Sequence, residues 1–163
     1  MEREIWMPVD EVRGYEVSNL GRVRNEKTGR VLIPNVNGKD VLIVNLSHQG
    51  YSLSRPVKKL VAEAFVPKAP FYENKRSCVI RHIDEDWTNC RADNLNYCLR
   101  ADAAWIKRVG VSWGRPVLAV TSGEIYEDAV EAAKHYEYGC DISIKKICME
   151  GNGWHCGETF RWA

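Results

Sequence analysis

The stretch Val79-Ile80-Arg81-His82-Ile83-Asp84-Glu85-Asp86-Trp87-Thr88-Asn89-Cys90-Arg91-Ala92-Asp93-Asn94-Leu95 decides how this chain is read. Apolar residues bracket a polar run that holds one histidine, several aspartates and two asparagines. The pattern predicts a strand over Val79–Ile83, an irregular loop over 84–93 and a second short strand over Leu95–Cys98. A helix is expected over Asp102–Val109, and Gly110 and Gly114 with Pro116 mark a linker. Such a strand–loop–strand–helix unit gathers a strand end, a loop and a helix around one small site.

Upstream, residues 3–54 read as a β-rich module. Trp6, Tyr15, Val17, Val23, Val31, Ile33, Leu42, Val44 and Leu46 fall at near-alternating positions. Turn signals separate them at Asn19-Leu20-Gly21, Thr28-Gly29, Asn37-Gly38 and Gln49-Gly50, with Asn37-Gly38 suited to a two-residue hairpin turn. Pro56 opens a helix in which Val57, Leu60, Val61, Ala64 and Phe65 recur at helical spacing up to Pro67.

Downstream, Val117–Val120 and Ile125–Tyr126 read as strands around a turn at Ser122-Gly123. Asp128–Tyr136 and Ile142–Met149 read as helices separated by Gly139, the second capped by Ser143 or Asp141. Thr159–Trp162 closes as a strand. Two short helices on a tight turn are the minimal helix-turn-helix plan. The fold class expected is α+β in an extended modular arrangement: a β-rich module with its helix over 1–66, a ββα core over 67–110 and a ββ-helix-turn-helix unit over 115–163.

The bulk properties bound the function. A chain of 163 residues with 45% hydrophobic content builds a packed core or a few small modules. No apolar run of membrane-spanning length occurs. The N-terminal Met1-Glu2-Arg3-Glu4 is charged, so a cytosolic protein is expected. Net charge is +1 but uneven: eleven Lys/Arg against eight Asp/Glu over 1–68, seven against six over 69–110, five against eight over 111–163. Affinity for nucleic acid therefore has to come from local patches rather than a global excess. Six cysteines lack any CxxC pair. Cys140, Cys148, His155 and Cys156 make a weak zinc pattern, and reduced thiols acting as small hydrophobes are the favoured reading.

Metal-assisted phosphodiester cleavage needs a base to activate water, a divalent cation to stabilise developing charge, and groups that orient both. His82 at a strand end suits the base, because imidazole titrates near neutrality. Asn94 is placed to accept from the other ring nitrogen and fix the tautomer. Asp84 and Asn89 suit bracing of the loop by side-chain to backbone bonds. Spacing alone reads equally well as a structural histidine among ordinary turn formers; the specificity lies in the whole stretch.

Three blocks carry a resemblance. They are Gly14-Tyr15-Glu16-Val17-Ser18-Asn19-Leu20-Gly21-Arg22-Val23 preceded by Ile5-Trp6, then Val57–Pro67, and then His82-Ile83-Asp84 with Thr88-Asn89 and Asn94-Leu95. Together they resemble the HNH homing endonucleases of phage introns, and the segment from Arg115 to Trp162 resembles the helix-turn-helix repeat that follows in that family. The resemblance implies a ββα-metal core, an Mg²⁺ or Mn²⁺ cofactor, double-stranded DNA as partner, and the cytoplasm of a phage-infected bacterium as location. It implies His82 as general base and Asn94 as its orienting partner.

Two departures weigh against normal catalysis. The family has Asp or Asn before the histidine as a metal ligand, where this chain has Arg81, a permanent cation with no lone pair to offer. The second ligand position, on the following helix, is Ala103. Asp84 and Asp102 are the candidate substitutes, and Arg81 supplies instead a charge that grips a phosphate. Lys58 stands where the helix commonly has His. The reading is a DNA-binding protein with impaired cleavage, its phosphate contacts at Arg22, Arg24, Arg30, Lys58, Lys59 and Arg81, and Lys145 and Lys146 approaching the major groove. The alternatives are an active site-specific nickase and a scaffold recruited to bind a protein partner, such as a phage regulator or inhibitor.

Overall fold

The alternation in Tyr15-Glu16-Val17-Ser18 makes the middle strand of a first antiparallel sheet. In the computed structural model β1 (Trp6–Pro8), β2 (Tyr15–Ser18) and β3 (Val23–Asn25) pair in that order, with Trp6 opposite Ser18 and Val17 opposite Val23. The structure describes residues 3–38, 41–67, 78–100, 102–103, 115–136, 140–151 and 153–163. A second sheet holds β4 (Asn35–Val36), β5 (Leu42–His48) and β6 (Tyr51–Pro56). In β5 the period of two is plain: Val44 and Leu46 are fully buried while Asn45 and Ser47 face solvent.

The tight hairpin lies elsewhere than Asn37-Gly38. His48 pairs with Tyr51 across Gln49-Gly50, both with positive φ (49° and 83°), as a two-residue turn of the twist-matched type demands. Val36 pairs with Leu42 instead across five residues, tied by Asn37 N–H to the Val41 carbonyl at 3.0 Å. Val31 and Ile33 also depart from expectation. Val31 makes one isolated bridge to Arg24, and Ile33 is 84% exposed.

Helix α1 (Val57–Phe65) begins at Pro56, whose fixed φ of −64° suits a helix start, and ends before Pro67. It buries Val57, Leu60 and Val61, a stripe at i, i+3 and i+4. Each such side chain contributes about 1.5–3 kcal/mol on burial.

Next come β7 (Cys78–His82) and β8 (Leu95–Leu99), which form a two-stranded sheet and bracket a loop with one 3₁₀ turn at Ala92–Asn94. Arg100, Asp102 and Ala103 are helical; the rest of the helix expected to Val109 and the linker glycines lie outside the described residues. A third sheet has β9 (Val117–Ala119) between β10 (Ile125–Tyr126) and β11 (Phe160–Trp162). Helices α2 (Ala129–His135) and α3 (Asp141–Glu150) pack against it around Val117, Ala119, Tyr126, Ile144 and Phe160. Asp128 caps α2 by accepting from Val130 and Glu131 N–H. Neither Ser143 nor Asp141 caps α3: the cap position is Cys140, with no side-chain bond.

The fold is mixed α+β, as expected. It divides into two compact units, residues 1–66 with 80–96, and 67–79 with 97–163. The division runs through the β7–β8 hairpin.

Candidate functional site

The loop between β7 and β8 is built around one carboxylate. Asp84 accepts from Asp86 N–H (2.8 Å), Asn89 Nδ2 (2.7 Å) and Asn94 Nδ2 (2.8 Å). Asn94 closes the loop from the far side. Its Oδ1 accepts from Asp84 N–H at 3.0 Å and its Nδ2 also donates to the Asn89 carbonyl at 2.8 Å. Asp86 in turn accepts from the Thr88 N–H and hydroxyl. Partial burial alone would raise the Asp84 carboxyl. The bonds from Asn94, Asn89 and the Asp86 N–H outweigh it and hold the group below the ordinary carboxylate range.

His82 sits at the end of β7, 8% exposed. Its Nε2 faces the Cys90 sulfur at 3.7 Å, and that thiol also reaches the Trp87 carbonyl at 3.7 Å. Burial pushes the Cys90 thiol up to about 11, so it is neutral at physiological pH. The Lys58 charge and main chain act the other way, but burial outweighs them. Burial lowers the His82 pKa first, then the Lys58 charge; Asp84 and Asp86 oppose them, and Arg81 adds to the lowering. The imidazole is therefore neutral near pH 7, the state a proton acceptor requires.

Asn94 does not perform the orienting role expected of it. Its amide is spent on Asp84 and Asn89, and it makes no side-chain bond to His82. The group at His82 Nε2 is Cys90, which sequence reasoning had placed among inert small hydrophobes. A cysteine inside an otherwise polar loop was one available signal. Gly21 was a second one. Its φ is +82°, and a Cβ there would lie 3.0 Å from the Cys90 carbonyl oxygen, while Ala92 N–H donates to the Asn19 carbonyl at 2.8 Å. The Asn19-Leu20-Gly21 turn thus seats directly on the loop.

A divalent cation is what this arrangement would be expected to hold, and the residues present do not fit one. Arg81 occupies the position before His82, its side chain only 14% exposed and paired with Glu85 at 3.4 Å. Ala103 offers a methyl group, partly buried against Cys98, Cys140 and Ile142. Asp84 is engaged by its own loop through three accepted hydrogen bonds. Asp102 is buried and committed to the Ser143 hydroxyl (2.9 Å) and Lys146 Nζ (2.9 Å), so it is not a substitute ligand. Among the described residues no three His, Cys, Asp or Glu side chains gather to hold a metal. Cys140, Cys148, His155 and Cys156 do not gather either: His155 Nε2 accepts from the Cys140 N–H at 2.9 Å, and burial pushes the Cys148 thiol up to about 12.

The expected DNA contacts sort into three groups. Arg22 pairs with Glu4, Arg24 with Glu16 (2.6 Å), and both guanidiniums lie over the Trp6 ring, at 5.7 and 4.1 Å. Lys59 pairs with Glu11 and Glu63. Lys145 is 1% exposed and pairs with Asp141 at 3.4 Å, so it is turned inward, while the partly exposed Lys146 pairs with Asp102 at 2.9 Å. Arg30 is exposed and Lys58 half-buried, and neither side chain has an ion pair among the described residues.

Fold and loop together define an α+β chain with a buried histidine at the end of the first strand of a β-hairpin. Residues 4–47 match the NUMOD4 motif. The chain is 26% identical to an HNH endonuclease of Acanthamoeba polyphaga mimivirus, over 98% of its own length and 41% of that relative's. Its fold matches the HNH homing endonuclease I-HmuI, solved in a study of DNA binding and cleavage. The TM-score is 0.52, the identity 21%, and the match covers 100% of this chain and 98% of that one. The likeness to HNH homing endonucleases read from the residues is thereby supported in motif, relative and fold.

Among the described residues no helix is long and apolar enough to cross a membrane.

Proposed function

We propose that this chain is an HNH endonuclease-like protein that binds duplex DNA and whose metal-dependent cleavage is impaired. The observation that carries this is the donor set at His82. The imidazole is buried and neutral at a strand end, yet the two expected ligand positions hold a cation and a methyl, and the nearby Asp84 carboxylate accepts three hydrogen bonds from its own loop. A divalent cation needs oxygen ligands with free lone pairs, and Arg81 opposes it by charge as well.

The test is incubation of supercoiled plasmid with the protein and Mg²⁺ or Mn²⁺. No nicking above background is expected. Nicking that disappears in His82→Ala would overturn the reading and make the protein a working DNA cutter. Binding of duplex DNA, with affinity falling steeply as salt rises, is expected in either case.

A further inference from the structure

We propose that the cleft beside the C-terminal end of α3 is a docking site for an arginine side chain of a basic protein segment. The inference is independent of the impaired-nuclease reading, because no residue of the loop between β7 and β8 takes part in it.

The cleft lies within the second compact unit and measures about 380 Å³, inside the range of about 300–1,000 Å³ usual for ligand sites. One wall is a single stripe of α3, where Ser143, Lys146, Ile147 and Glu150 recur at i, i+3, i+4 and i+7. Asp102 is bound to that stripe, accepting from the Ser143 hydroxyl (2.9 Å) and from Lys146 Nζ (2.9 Å). The Lys146 charge is thereby answered inside the cleft. Glu150 differs: it is exposed, and its carboxylate makes no hydrogen bond or ion pair among the described residues. Asp102 and Glu150 against Lys146 leave one net negative charge on the lining. Glu150 is also the last residue of α3, whose last turn holds no basic residue, so it stands at the negative pole of the helix. A carboxylate at that pole is stabilised by an incoming cation. Residues 111–163, with five Lys/Arg against eight Asp/Glu, have the same sign. The second observation is aromatic. Trp154 lines the same cleft and is 71% exposed. The backbone around it is pinned. Gly151 N–H donates to the Ile147 carbonyl at 2.9 Å, a Cβ on Gly153 would lie 3.2 Å from Ile147 Cγ1, and His155 Nε2 accepts from the Cys140 N–H at 2.9 Å. The indole is thus held outward between anchored neighbours, and its N–H makes no hydrogen bond among the described residues. A guanidinium stacks on an indole face and pairs its fork with a carboxylate, so one arginine side chain answers both unmet groups of the cleft. A phosphate does not, because the net charge here repels it.

The experiment is fluorescence anisotropy of the full chain, without DNA and at physiological ionic strength, with a labelled peptide of alternating glycine and arginine and with its lysine and glutamate counterparts. Saturable binding is expected, tighter for the arginine peptide than for the lysine one and absent for the glutamate one. Glu150→Gln and Trp154→Ala should each weaken it by about fivefold, and Trp154→Phe by less, since a phenyl face keeps part of the attraction. Glu127→Gln removes an exposed carboxylate of the same unit outside the cleft and should leave the affinity unchanged. Thermal unfolding shows that each variant is folded. No binding of the arginine peptide by the wild type would overturn the proposal. So would equal losses in Glu127→Gln and Glu150→Gln, which would reduce the attraction to diffuse charge. Tighter binding of a labelled oligothymidine that Trp154→Ala abolishes would also overturn it, and make the cleft a base-stacking site instead.

Discussion

Two places in this chain carry neighbouring cations, and they use them in opposite ways. Around His82, Lys58 carries no ion pair among the described residues and acts on the imidazole. On α3, Lys145 is buried against Asp141 and Lys146 is held by Asp102. The amino-acid types are alike. What separates them is the partner supplied four residues earlier on the same helix, or by a neighbouring element. A lysine becomes a ligand-binding group only when the fold leaves its charge unanswered; otherwise it is cement.

That contrast is broken most forcefully at Lys145. The pair with Asp141 has side-chain exposures of 2% and 0%. Removing one partner strands a charge in a low-dielectric interior, so Lys145→Ala should cost about 3 kcal/mol or more. Denaturant unfolding measures it. A variant of full stability with weakened DNA binding would show that Lys145 works outward after all.

The asparagine at the loop's base is the next test. Asn94 satisfies the Asp84 N–H, one Asp84 carboxylate oxygen and the Asn89 carbonyl. Asn94→Ala removes the partner of the Asp84 N–H and of the Asn89 carbonyl and one of three bonds to the Asp84 carboxylate at a partly buried site, and about 2 kcal/mol of stability should be lost. Were Asn94 mainly an orienting partner of His82, unfolding would be nearly unaffected.

A smaller effect, about 1–2 kcal/mol, is expected for Gly21→Ala, since a left-handed backbone disfavours a Cβ that must also press on the Cys90 carbonyl. Gly14→Ala shares the positive φ but has open space around it. The difference in melting temperature between the two variants isolates the contact from the backbone conformation.

These cases also mark what was legible in the sequence. The β7–loop–β8 order, α1 and the C-terminal ββαα-β run were readable, because alternation and helical spacing reflect which face is buried. The candidate histidine was readable because its neighbours form a long specific pattern. Pairing was not. Nothing in Asp141-Ile142-Ser143-Ile144-Lys145 says that both charges turn inward, since a salt bridge at i, i+4 is equally at home on a solvated face. Nor could Asn94's partner be read: the amide is close enough in sequence to serve either His82 or Asp84, and the choice is made by the curl of the loop around one carboxylate. Gln49-Gly50 took the tight turn over Asn37-Gly38 because the longer pairing of β5 with β6 fixes the register there.

The gentlest probe is proton concentration. The folded protein holds His82 with a pKa below its unfolded value of about 6.5, chiefly by burial and then by Lys58. The unfolded chain therefore binds a proton more readily, and stability falls as pH drops below about 6.5 toward the lower folded value. Asp84 works in another window. Its folded pKa is depressed, so its contribution is present above about 3.9 and is lost only as pH falls through that lower range. Unfolding measured between pH 7 and 5 should thus show a decline that His82→Gln removes, while Asp84→Asn leaves the decline in place. Replacing Lys58 with Gln should shrink the decline without abolishing it, because burial remains. A decline untouched by Lys58→Gln would mean that the ammonium does not act on the imidazole, and the distinction between the two lysine sites would lose its electrostatic basis.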